Sequence, residues 1–280
     1  MTRVAVVTGS NKGIGYGIVR GLAKVFDGVV YLTARNEQLG KTALAQVKQE
    51  LGSPNADKVQ FHQLDITDAA SVAGLQQTLN EKHGGLDVLV NNAGFAFKQA
   101  ATEPFGQQAE VTNAINYFGT KQVSQALLPL IRSNGRVVNV CSQAGVVNGT
   151  YGGKYGERVV TIVKSDSTTQ KQLDDLVNEF VSHAKTGDHK ELGFPNSAYC
   201  VSKAAEIALT MMQCREFSKD GILINACCPG YVDTDMTSHK GVKTIDEGAD
   251  TPIYLATLPA GATEPNGKFL YERKVIPWHD

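Results

Sequence analysis

The sequence predicts an α/β fold, a doubly wound parallel sheet of about seven strands. Three observations carry that expectation. Short apolar runs alternate with longer amphipathic segments along most of the 280 residues. Those runs are continuously apolar, without a polar residue at every second place, as in strands covered on both faces. A glycine-rich turn also joins the first run directly to the first amphipathic segment.

The predicted strands are residues 3–8, 29–34, 59–64, 87–91, 136–141 and 222–227, with a weaker one at 268–271. Helices are expected near 13–25, 37–51, 69–82, 105–131, 197–218 and 246–257. No repeat, low-complexity tract or linker interrupts them, so residues 1–280 read as a single domain. One region breaks the alternation. From about 148 to 195 the chain starts glycine-rich, contains an amphipathic stretch near 170–186 and ends in Gly-Phe-Pro. A simple α/β unit has only a short loop there, so this region is expected to be a helical insertion beside the site.

Bulk composition narrows the function classes. A hydrophobic content of 42% with 20% charged residues is that of an ordinary soluble chain. A net charge of -1 gives no electrostatic reason to expect a nucleic acid or an anionic membrane as partner. No apolar run approaches the roughly 18 residues of a membrane span. The first residues enter a strand-like run without the features of a signal peptide. Five cysteines with no zinc-type pairing point to reduced thiols, and the expected location is the cytoplasm. The six histidines show no ligand spacing, so no metal is assigned.

The turn after the first strand reads Thr8-Gly9-Ser10-Asn11-Lys12-Gly13-Ile14-Gly15. Glycines let a backbone bend sharply and approach a pyrophosphate, whose charge the following helix N-terminus favours. The end of the second strand selects between dinucleotides. A carboxylate there would bind a ribose 2′-hydroxyl, but the chain has Ala34-Arg35. Arg35, with Lys12, suits a 2′-phosphate and hence NADPH. Each cation alone would read as a solvated surface charge. Asp65 and Ile66 follow the third strand, where they would meet the adenine, although a strand-end Asp is as often a turn former.

Tyr199 and Lys203 stand four residues apart on a predicted helix, which puts both on one face. A nearby ammonium favours the phenolate, so the expected tyrosine pKa lies below its usual value of about 10. Such a phenol suits a general acid.

Together these features resemble the short-chain dehydrogenase/reductase family over nearly the whole chain. Asn91-Asn92-Ala93-Gly94, Asn116, Ser142, Tyr199 with Lys203, and Pro229-Gly230 with Thr234 complete the pattern. Residues 85–94, 136–140 and 225–230 give a narrower likeness to monomeric NADPH-dependent carbonyl reductases. The resemblance implies a Rossmann-type fold and a catalytic set of Asn116, Ser142, Tyr199 and Lys203. Tyr199 protonates a carbonyl oxygen, Ser142 orients it, Lys203 tunes the phenol and binds ribose, and Asn116 supports a proton path. Asn92, Ala93, Gly94, Pro229, Gly230, Val232 and Thr234 then line the cofactor channel, with Tyr199 and Lys203 also touching it. The insertion implies a monomer by covering the helices through which relatives associate.

Two departures stand out: Cys141 precedes Ser142 where that subgroup often has serine, and Tyr231 stands where an indole is familiar. The substrate is expected to be a small carbonyl compound, a quinone, aldehyde or ketone. A dedicated steroid or prostaglandin ketone dehydrogenase on the same site stays open, as does a non-catalytic NADPH-binding regulator. Cys227-Cys228 reads either as a redox-sensitive or glutathione-contacting pair or as buried strand residues. Phe95, Phe97, Tyr231 and Trp278 read either as a substrate border or as packing.

Overall fold

The computed structural model describes residues 2–147 and 153–279; the glycine-rich start of the expected insertion, 148–152, lies outside them. Each apolar run becomes a strand: β1 (Val4–Val7), β2 (Val29–Ala34), β3 (Val59–Gln63), β4 (Leu86–Asn91), β5 (Ile131–Val140), β6 (Leu223–Cys228) and β7 (Phe269–Tyr271). They pair in the order β3-β2-β1-β4-β5-β6-β7, all parallel. An eighth strand, β8 (Lys274–Val275), adds antiparallel to β7. Two residues carry no readable pattern, so the expected seven strands become eight.

The pleat of β1 shows why its run is apolar throughout. Ala5 and Val7 pack with Ile18, Val19 and Leu22 of α1 (Gly13–Val25) and with Ala249 and Leu255 of α9 (Ile245–Ala256). Val4 and Val6 point to the other face, against Leu75 and Leu79 of α3 (Ala69–His83) and Val123 of α5 (Thr120–Leu127). Both faces are covered, as parallel sheets require. On the first face α2 (Glu37–Leu51) lies beside α1; on the second, α4 (Phe105–Asn113) and α8 (Ala198–Phe217) complete the layer.

The expected helix over 105–131 is not continuous. Between α4 and α5 the backbone widens into a π-helical turn, Ala114–Gly119, and the chain enters β5 already at Ile131. A Cβ at Gly119, the last residue of this turn, would lie 2.9 Å from Ile66 Cδ1, so the turn runs close to the segment after β3. Such π segments concentrate at functional sites, and this one carries Asn116.

The region before Tyr199 forms two helices. α7 (Gln170–Thr186) matches the predicted amphipathic stretch. α6 (Gly153–Lys164) was not expected, because glycines and β-branched residues give it little helical propensity. Packing supplies what propensity lacks: Tyr155 and Val159 join Leu173, Val177 and Phe180 of α7 in one core with Val201, Ala205 and Leu209 of α8. The order reverses between β1 and β4, so the crevice beyond the strand carboxyl ends there is the place for a ligand.

Candidate active site

The glycine turn, Arg35, Asp65, Asn92–Gly94, Ser142 and Pro229–Gly230 follow strands at this edge of the sheet, while Asn116, Tyr199 and Lys203 come from helices. After β1 the chain turns through Gly9, whose φ of 59° suits glycine. A Cβ on Gly9 would lie 2.7 Å from Ala93 Cα, and one on Gly15 would lie 2.6 Å from Gly9 O. Thr8 ties this turn to the one after β4, its Oγ1 accepting from Asn92 N and Ala93 N, each at 2.9 Å. Asn92 Nδ2 donates back to Thr8 O and Gly9 O at 2.9 and 3.0 Å. The result is a bare, backbone-lined cradle at the start of α1. Opposite it, Thr234 lies 3.4 Å from a Cβ on Gly13, and Val232 is buried beneath. Pro229 and Gly230 make the turn out of β6, with Gly230 N donating to Cys228 Sγ at 3.3 Å.

Arg35 is exposed at the end of β2 beside buried Ala34. Gln63 Nε2 holds its carbonyl at 3.0 Å, which fixes the backbone and leaves the guanidinium at the surface. Asp65 accepts from Thr67 N and Oγ1 in the turn after β3. Burial works against its charge, but the Thr67 hydrogen bonds and the Arg35 charge hold it below the usual carboxylate range. Lys12 Nζ pairs with Asp235 at 2.6 Å, with both side chains exposed. Lys98 donates to Asp235 O and Ser238 Oγ, so the segment after Thr234 is tied to both rims.

Ser142, Tyr199, Lys203 and Asn116 do converge. Ser142 follows β5 in extended backbone, its Oγ accepting from Ala144 N at 3.1 Å, and it is close enough to the Tyr199 phenol to lower its pKa. Ser197 caps α8 through Cys200 N and so fixes where Tyr199 enters the site. Lys203 Nζ lies 5.8 Å from the Tyr199 ring centroid and donates to Val140 O at 3.1 Å. Asn116 is fully buried. Its amide is committed to the Phe95 backbone and to Ser202 Oγ, at 2.9 Å, and Ser202 in turn donates to Tyr199 O. Asn116 and Lys203 border one space, since a Cβ on Gly94 would meet Asn116 Oδ1 at 3.4 Å and Lys203 Nζ at 3.6 Å.

The expected low tyrosine pKa is not found. Burial raises the Tyr199 pKa; Lys203 and the Ser142 hydrogen bond lower it, but Glu206 raises it again, and the balance lies above the usual value. Glu206 is the residue that reading the sequence missed. Its Oε2 lies 2.6 Å from Lys203 Nζ, with the side chains 1% and 4% exposed. Burial alone would lower Lys203, yet the Glu206 charge holds it above its usual range. Burial pushes Glu206 itself up to about 7. The available signal was a single carboxylate at i+3 from Lys203 inside the apolar run Ala204–Leu209.

The weaker candidates separate. Cys227 and Cys228 are buried, and burial raises both thiols. Trp278 belongs to the core around α8, while Phe95 and Phe97 form an edge-to-face pair at 4.9 Å after β4. Tyr231 is 51% exposed after β6. Among the described residues no three His, Cys, Asp or Glu side chains are grouped to hold a metal, and no helix is long and apolar enough to cross a membrane.

The sequence profile of the short chain dehydrogenases matches residues 3–158 and 187–244, stepping over the end of α6 and the whole of α7. The chain belongs to the short-chain dehydrogenase family. It is 47% identical over 279 residues to the bovine (Bos taurus) protein named carbonyl reductase [NADPH] 1, covering 98% of each chain. It is 44% identical over 281 residues to mouse (Mus musculus) carbonyl reductase [NADPH] 3, covering 99% of each. Among family members of known structure, salutaridine reductase from Papaver somniferum superposes with a TM-score of 0.83 at 31% identity, over 96% of this chain and 99% of that one.

Proposed function

We propose that this chain is an NADPH-dependent reductase that converts quinones, aldehydes and ketones to alcohols, with Tyr199 as general acid. The observation that carries the reading is the Tyr199 phenol close to Ser142, with Lys203 5.8 Å from its ring, beside a glycine cradle. The naming of relatives at 44–47% identity as NADPH carbonyl reductases supports the cofactor and the substrate class.

The residues present fit a dinucleotide. The cradle of Gly9, Asn11, Gly13, Ile14 and Gly15 brings backbone to within reach of a pyrophosphate at the start of α1, where a helix favours an anion. Arg35 would meet the 2′-phosphate with Lys12 as a second cation, and Asp65 and Ile66 would border the adenine. Asn92, Ala93 and Gly94 line one wall and Pro229, Gly230, Val232 and Thr234 the other, with Lys203 available to ribose hydroxyls. When bound, the dinucleotide supplies the hydride.

The chain's own residues do the rest. Ser142 Oγ and Tyr199 Oη converge on one point, where they hold the substrate carbonyl oxygen. Tyr199 keeps its proton through neutral pH, since its pKa lies above the usual value, and gives it to that oxygen as charge develops. Asn116 and Lys203 border the space through which a proton returns to the phenol.

The chain acts as a monomer in the cytoplasm. α7 packs along α4 and α8, which supports the monomer that the family resemblance implies. Five free thiols suit a reducing compartment.

The test is oxidation of NADPH and of NADH with menadione, comparing wild type with Tyr199→Phe. Turnover with NADPH, weak with NADH and lost in the variant, is the expected result. Turnover that survives in Tyr199→Phe would remove the phenol from its role.

A further inference from the structure

We propose that Glu206 is a positioning residue of this site, whose buried carboxylate anchors the Lys203 ammonium and opposes its charge toward Tyr199. The inference rests on the reductase reading and adds to it a residue that the catalytic set does not contain.

The placement is unusual for a carboxylate. Its helix neighbours Ala204, Ala205, Ile207, Ala208 and Leu209 are all buried hydrocarbons, and a charge among them is costly unless it is paired. Lys203, one turn back, supplies the partner at 2.6 Å. Thr120 Oγ1, from α5, donates to the second oxygen at 3.5 Å. The other ionisable groups around the pair are Tyr199 on α8, Cys141 just after β5, and Cys227 and Cys228 at the end of β6. Of these groups Lys203 alone carries a positive charge, so Glu206 is what balances it.

The pairing fixes where the ammonium sits. Val140 O and Glu206 hold it from two sides, beneath the Tyr199 ring. It also changes what the ammonium does. A lone cation would draw the phenol toward phenolate, whereas Glu206 acts on the phenol in the opposite direction. Carbonyl reduction needs the protonated phenol, so its rate falls as pH rises through the Tyr199 pKa. A charge that keeps this pKa high extends the reductive range to higher pH. Loss of that charge moves the alkaline limb to lower pH.

Glu206→Gln tests this, because it keeps shape and removes charge. The first readout is the pH profile of kcat/KM for menadione with NADPH. The second needs no cofactor: ultraviolet absorbance of tyrosinate in the free protein, with Tyr199→Phe subtracted to isolate the one titration. Both midpoints are expected to fall by about one pH unit, the effect of removing one like charge beside the phenol. A folded variant with both midpoints unchanged overturns the proposal, and so does one whose melting temperature alone falls. If menadione is not reduced by wild type, the reductase reading fails while the absorbance titration still decides the role of Glu206. If Glu206→Gln does not fold, Lys203→Met is compared with Lys203→Met/Glu206→Gln at pH 8. The double variant is expected to melt higher, because its carboxylate is no longer buried without a cation. A double variant no more stable than Lys203→Met overturns the anchoring role.

Discussion

Asn116 clasps both polar groups of the Phe95 backbone, its Oδ1 accepting from Phe95 N at 2.7 Å and its Nδ2 donating to Phe95 O at 2.9 Å. The side chain comes from the π-helical turn and the backbone from the segment after β4, so one residue joins the two walls of the site. Asn116→Ala would leave both Phe95 groups and Ser202 Oγ without this partner. Each unsatisfied group costs about 1–3 kcal/mol. The expected outcome is a loss of at least about 3 kcal/mol, read as a melting temperature lower by several degrees. The menadione KM should rise as well, because Phe95 is released. An unchanged melting temperature would show that the clasp contributes nothing.

Arg35 offers a cleaner separation of binding from folding. Its guanidinium is exposed, while its carbonyl, which a substitution leaves in place, holds Gln63. Arg35→Ala should therefore melt like wild type. Hydrogen bonds to a charged group contribute about 1.5–3 kcal/mol, so NADPH should bind about 10–100-fold more weakly. NADH lacks the 2′-phosphate, and its affinity should change little. Fluorescence titration of both dinucleotides checks this, and equal losses for the two would remove Arg35 from phosphate selection.

Lys12 starts from a different position, because Asp235 already pairs with it. Both side chains are exposed, and such a pair is worth only about 0.2–1 kcal/mol. Asp235→Asn frees Lys12 and should tighten NADPH binding by about two- to fivefold at low salt. In a Lys12→Ala background the same substitution should have no effect, a double-variant cycle that isolates the interaction. A gain that persists without Lys12 would assign it to some other effect of Asp235.

Much of this site was legible because its parts sit at fixed offsets along the chain. The four-residue spacing of Tyr199 and Lys203 places both on one helix face, and each glycine or asparagine motif follows its own apolar run. Glu206 was not legible in that way. A carboxylate in a helix ordinarily reads as a solvated residue, and only the packing of α8 between the sheet and α7 buries it. The Tyr199 pKa was misread for the same reason, since spacing reveals Lys203 but not the burial and counter-charge that outweigh it. Gly119, which ends the π-helical turn, packs close to Ile66, a residue far away in the chain that no spacing pattern links to it. α6 likewise owes its form to tertiary packing, which overrides weak propensity.

Two glycines of the site make opposite predictions. Gly9 has a φ of 59°, and a Cβ there would stand 2.7 Å from Ala93 Cα. The obstacle is backbone, held by the Thr8 and Asn92 hydrogen bonds, so it has little freedom to move. Left-handed backbone alone costs a side chain about 1–2 kcal/mol. Gly9→Ala should therefore lower the melting temperature and abolish dinucleotide binding together. Gly94 has no positive φ, and its added methyl would make ordinary contacts with Asn116 Oδ1 and Lys203 Nζ. Gly94→Ala should fold with unchanged stability, yet occupy the space between those two groups. If a proton returns to Tyr199 by that route, kcat should fall by about tenfold, part of the roughly 10²–10⁴ that acid–base catalysis supplies. NADPH affinity, measured in the same preparation, should change less. A variant with full kcat would mean that the proton reaches the phenol without passing between Asn116 and Lys203.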